Sequence, residues 1–225
     1  MTTEHVPARG ENVTRTKQIQ GQIDRALEAT REESWFIAEA NFLKALAASR
    51  GRNDWEGMIE IAEGLRIARR GIRRKALVRG TVRILDESIT ETTEFTPGRY
   101  LVQPPLVGAD ARRLIQFTRE RSIPVAVVCR EPRTRAGLIP IVAIAPGTTI
   151  RDQIEPPSNE AKPTVAWFKG ALEAIGESAL ETIDPAEEVT RRVDRIIGCL
   201  DAIPDHEPLH VKLAETCEEA ERNAV

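Results

Sequence analysis

Residues 98–129 read GRYLVQPPLVGADARRLIQFTRERSIPVAVVC. Two apolar runs, one through Tyr100, Leu101 and Val102 and one from Val125 to Cys129, have the length of strands. Pro104 and Pro105 close the first run, because proline has no N–H to give to a ladder. Between the runs, Leu114, Ile115 and Phe117 recur at helical spacing, and Asp110 stands where an N-cap is expected. Strand, helix and strand in this order predict a βαβ unit with two parallel strands. The runs are continuously apolar rather than alternating, which predicts a sheet covered on both faces.

The pattern extends outward on both sides. TVRILDE (81–87) alternates like a further strand. LIPIVAIAPGTTIRDQIEPP (138–157) predicts a hairpin about Pro146–Gly147, a pair suited to a turn. PPSNEAKP (156–163) is a linker. Beyond it, TVAWFKGALEAIGESALETI, AEEVTRRVDRIIGCLDAI and HEPLHVKLAETCEEAERN are amphipathic helices, the last beginning after Asp205. On the N-terminal side, Ile19, Ile23, Ala26 and Leu27 predict a helix over about residues 13–31. ESWFIAEANFLKALAAS and WEGMIEIAEGLRIARR predict two more, with Gly51 as a C-terminal cap and Asn53 or Asp54 as an N-cap between them. The expected fold class is α+β, with N- and C-terminal helical segments packed on a small central sheet. The expected divisions are a disordered tail at 1–12, a helical segment at 13–76, a sheet domain at 77–156 and C-terminal helices at 163–225.

AEANFLKALAASRGRNDWEGMIEIAEGL (38–65) has small residues where helices cross, a short polar turn and an aromatic residue opening the next helix. It resembles the helix–turn–helix unit of tetratricopeptide repeat proteins over about residues 33–70. That resemblance implies a surface for protein partners. A plain antiparallel helical hairpin is the alternative reading of the same residues.

Charge is distributed unevenly. Residues 66–154 carry 17 basic and 8 acidic side chains, whereas residues 155–225 carry 7 and 16. Such asymmetry suggests a basic face that meets an anionic partner or the acidic part of a second copy. The run 66–83 holds Arg66, Arg69, Arg70, Arg73, Arg74, Lys75, Arg79 and Arg83 with no acidic residue. A helix C-terminus accounts for two or three of these cations, and the rest form a candidate basic surface for an acidic protein or nucleic acid. No aromatic residues interleave them to stack bases.

Two loops are expected beyond the carboxyl ends of parallel strands, where ligands of such sheets bind. QPPLVGADARR (103–113) delivers a helix N-terminus, and REPRTRAG (130–137) delivers three arginines. Asp110, Arg112, Arg113, Arg130, Arg133 and Arg135 are therefore a candidate site for a phosphate or carboxylate. The alternative is that these charges pair with one another.

Cys129 lies next to Arg130, but no histidine stands in this part of the chain to serve as its base, so a buried structural cysteine is expected. HEPLH (206–210) matches a two-histidine zinc pattern. Pro208 instead predicts a helix start there, and no metal is expected. Three scattered cysteines, Cys129, Cys199 and Cys217, suggest neither a disulfide framework nor a structural zinc site. The N-terminus lacks the apolar segment of a secretory signal, and no apolar run is long enough to span a membrane, so a cytoplasmic location is expected. No catalytic set or cofactor motif is legible. The expected role is a non-enzymatic binding or adaptor protein with helices that bind protein partners. A sensor or enzyme for a small anion, a nucleic-acid-associated protein and a homo-oligomer are the further possibilities.

Overall fold

The computed structural model describes residues 16–224 except Arg79 and Glu91. The tail expected at 1–12 therefore lies outside the described residues, as does Arg79 of the basic run. Three helices come first: α1 (Lys17–Arg31), α2 (Trp35–Arg50) and α3 (Trp55–Leu77). The sheet region follows, with β1 (Val82–Leu85), β2 (Gly98–Val102), α4 (Gly108–Glu120), β3 (Val125–Arg130), β4 (Ile139–Ala145) and β5 (Thr148–Ile154). Helices α5 (Val165–Glu181), α6 (Val189–Ala202) and α7 (Glu207–Asn223) complete an α+β fold. No helix among the described residues is long and apolar enough to cross a membrane.

The strands lie in sequence order. β1, β2 and β3 are parallel, and β3, β4 and β5 are antiparallel. β2, α4 and β3 form the expected βαβ unit, and β4 and β5 form the expected hairpin. At its turn Gly147 has φ +71°, a left-handed conformation that glycine adopts without a Cβ clash. Adjacent residues of each strand serve opposite faces. Leu101, Val128 and Ile141 join a core built with the six helices α1–α3 and α5–α7. Tyr100, Val102, Cys129 and Val142 join a second core with Ala111 and Leu114 of α4. Burial on both faces is why β2 and β3 carry no polar stripe, whereas β5 leaves Thr149, Arg151 and Gln153 exposed.

Two boundaries differ from expectation. Asp110 is not the N-cap of α4; that place belongs to Val107, and Asp110 sits in the first turn, where its Oδ2 accepts the Val107 N–H at 2.9 Å. Helix α3 does not end near Arg70 but continues to Leu77, so Arg66 to Lys75 lie within it. Gly64 and Gly71 do not break it because they are crossing points for α2. A Cβ at Gly64 would stand 2.3 Å from the Phe42 ring, and one at Gly71 would stand 2.4 Å from the Trp35 ring. Asp54 starts this helix by accepting the Gly57 N–H at 3.0 Å.

Candidate functional site

The register Val102↔Cys129 brings the residues that follow it, Gln103 and Arg130, side by side at the carboxyl ends of β2 and β3. Arg130 is 8% exposed. Its Nε donates to Gln103 Oε1 at 3.1 Å, and its Nη1 donates to Glu160 Oε2 at 3.3 Å. Arg133 pairs with the other oxygen of Glu160. The clamp formed by Arg130 and Arg133 thus holds a carboxylate of the chain's own linker. The other members of the expected anion site go elsewhere. Arg113 pairs with Asp110 at 3.2 Å, and Arg112 donates to the Ile144 carbonyl at 3.2 Å. Arg135 is exposed. Gln103 and Glu160 were not among the residues singled out from the sequence. Their only signal was position, one after a strand and one in a polar linker.

The basic run of α3 is likewise matched within the chain. Arg66 pairs with Glu63 at 2.7 Å and with Glu207 at 2.9 Å. Arg70 lies 3.7 Å from Glu207, and Arg73 pairs with Glu173. Arg74 and Lys75 are exposed. Arg69 is not on the surface at all; it is 2% exposed. It belongs to the inward stripe of α3 with Leu65, Ala68 and Ile72, and it meets Glu39 at 2.8 Å and the Leu200 carbonyl at 3.3 Å. Glu173 of α5 and Glu207 of α7 thus meet three cations of the basic run.

A different feature has the shape of a site. The ladder between β3 and β4 consists of two pairs only, Cys129↔Val142 and Arg130↔Ile141. Continued, the same register would set Val128 opposite Ala143 and Val127 opposite Ile144. The strands part instead, like the tines of a fork. The Pro140 carbonyl accepts the Glu131 N–H at 2.8 Å, so alternate residues Pro140, Val142 and Ile144 turn their backbone groups toward β3. The Ile144 carbonyl, which the ladder would direct to β3, is taken by Arg112. Between the tines lies a cavity of about 60 Å³, lined by Val127, Val128, Ile141 and Ala143, with Ile115 of α4 on one side and Ile175 of α5 on the other. A void of that size costs roughly 1–2 kcal/mol when nothing fills it.

One end of the cavity is polar and partly exposed, formed by Arg119 and Asp205 beside Phe36. Arg119 approaches Glu39 at 3.0 Å, and Arg69 approaches the same Glu39 oxygen at 2.8 Å. Burial alone would raise the Glu39 pKa, but the two guanidiniums outweigh it and hold the carboxyl below its ordinary range. Asp205 behaves in the opposite sense. Burial pushes its carboxyl above the ordinary range, with Arg119, Arg73 and Arg69 opposing and Glu39 adding to the rise. Its backbone carbonyl accepts from Arg73 at 3.1 Å, while its carboxylate forms no ion pair with a described residue.

Cys129 lines the cavity and is buried. Burial, then Glu131 and Asp110, pushes its thiol up to about 12, so it stays protonated and is no nucleophile at neutral pH. The HEPLH histidines face different neighbours. His206 stands at the N-cap position of α7 without a side-chain capping bond and lies 3.6 Å from Glu173 and 3.4 Å from Glu177, whereas His210 Nε2 contacts the Pro204 carbonyl at 3.0 Å. Burial, then Arg69, lowers the His210 pKa to about 3, so its ring is neutral. No group of three or more metal-ligating side chains is assembled among the described residues.

No family model matches the chain, and no curated protein and no solved structure matches it either.

Proposed function

We propose that this protein acts by binding, and that its ligand is a small molecule whose apolar part lies in the fork between β3 and β4. The observation that carries this reading is the early end of a ladder that could have continued, beside an apolar cavity with polar groups at one end only. Well-formed apolar pockets with a few convergent polar groups are the usual form of small-ligand sites. The arginine cluster at the strand ends supports a bound phosphate or carboxylate less well, since Glu160 already fills the clamp. A cavity-filling variant tests the proposal. Pentane should shift the methyl resonances of Ile141 and Ile175 saturably in the wild type and not in Ala143→Leu. Equal shifts in both proteins, or none in either, would remove the reading.

A second reading, a protein-binding adaptor built on the tetratricopeptide-like hairpin of α2 and α3, draws support from two exposed apolar side chains. Ile37 is 59% exposed at the start of α2, and Val78 is 65% exposed after the end of α3. Under this reading, Ile37→Asp abolishes capture of a partner from extract while leaving the fold intact. Capture that survives the change would exclude that face.

A further inference from the structure

The cavity's polar end restricts the ligand further, given the small-molecule reading above on which this step rests. Four ionisable groups meet there: Glu39, Arg69, Arg119 and Asp205. Both arginines converge on one oxygen of Glu39, at 2.8 and 3.0 Å. Their charges, with that of an ionised Asp205, already sum to zero. What the cluster lacks is a hydrogen-bond donor for Asp205, whose carboxylate has no cation within ion-pairing distance among the described residues. Several nearby donors are already engaged. Thr118 gives its hydroxyl to the Leu114 carbonyl at 2.8 Å, His210 is held at the Pro204 carbonyl, and Arg73 is held by Glu173 and the Asp205 backbone. Asp205 is partly exposed, and a bound group that gives its carboxylate a donor while excluding solvent gains a hydrogen bond to a charged acceptor.

We propose that the ligand of this cavity is a small amphipathic molecule with an apolar body between β3 and β4 and an uncharged hydrogen-bond donor, a hydroxyl or an amide N–H, that Asp205 receives. With Asp205 ionised the cluster is neutral, and an ammonium head would leave one positive charge uncompensated. A carboxylate head would confront Asp205 and Glu39 together. The body is short. In a cavity of about 60 Å³, only a few carbons enter before the fork must widen.

The test uses the full chain and four probes of similar length: pentane, 1-butanol, butylamine and butyrate, each titrated against the Ile141 and Ile175 methyl resonances. In Asp205→Ala, the dissociation constant of 1-butanol should rise about tenfold or more while that of pentane changes less than about twofold, as expected for a hydrogen bond to a charged group. Asp205→Asn keeps an acceptor oxygen and should retain much of the preference for 1-butanol. Butylamine and butyrate should bind more weakly than 1-butanol to the wild type. The inference is overturned if 1-butanol and pentane respond alike to Asp205→Ala, or if either charged probe binds tightest. Pentane binding with no response to Asp205 leaves the apolar cavity standing and removes only the head group. If neither pentane nor 1-butanol binds, both readings fall. Asp205 makes no ion pair whose loss would unfold the chain, so the variants report on binding.

Discussion

Arg112 holds the Ile144 carbonyl oxygen at 3.2 Å, at the point where β4 leaves β3. A side chain of α4 thereby replaces a strand as the partner of a backbone acceptor. The fork is supported because that acceptor, part-buried beside the sheet, is satisfied.

Replacing Arg112 with Met keeps most of the side-chain stem and removes the donor. The urea midpoint should fall by an amount equivalent to about 1 kcal/mol, the cost of leaving a part-buried carbonyl without its charged donor. An unchanged midpoint would mean that the carbonyl finds water or β3 without loss.

Glu39→Gln leaves Arg69 and Arg119 in place without their shared carboxylate. Stripping a buried cation of its partner typically costs roughly 3–5 kcal/mol, so this should be among the most damaging single changes in the chain. A sign for pH follows from the same group. Its native pKa is lowered, so its contribution to stability is present above the ordinary carboxylate range and is lost as pH falls through the lowered value. Acid titration of unfolding free energy checks this: the wild type should lose stability in that window, and Glu39→Gln should lose less there.

Asp205 carries the opposite sign. Its native pKa is raised, so its unfavourable contribution grows as pH rises from the ordinary carboxylate range through the raised value, and it vanishes in acid. Asp205→Ala should therefore be as stable as the wild type or more stable at neutral pH. The difference should shrink on acidification. A melting temperature well below that of the wild type at neutral pH would show that the carboxylate has a stabilising partner.

Glu160→Ala empties the clamp formed by Arg130 and Arg133. The change should cost about 1 kcal/mol, because Glu160 is itself well exposed. It should also create a response to anions: added phosphate should raise the melting temperature of the variant more than that of the wild type. Equal responses would indicate that the two arginines do not form a clamp once Glu160 is removed.

Much of this fold is local in origin, and that part is legible in the sequence. The alternation and continuity of apolar runs mark the strands, the proline pair closes β2, and Pro146–Gly147 bends β4 into β5. The helical stripes of α1, α2 and α5–α7 are equally readable, because periodicity depends only on neighbours along the chain. The end of α3 was misread because glycine and arginine suggest termination, whereas Gly71 is required by the Trp35 ring on another helix. The site belongs to the other category. Arg69 meets Glu39 across 30 residues, Arg130 meets Glu160 across 30, and Arg66 meets Glu207 across 141. Which cation is buried, which is paired and which stays free is decided by packing between distant segments. The parting of β3 from β4 is of the same kind, since nothing in VAVVCR or IPIVAIA tells two paired residues from six. The sequence by itself determined the elements and their class. Tertiary structure alone decided where the charges met and where the sheet was left open, because both depend on groups that approach only when the chain has folded.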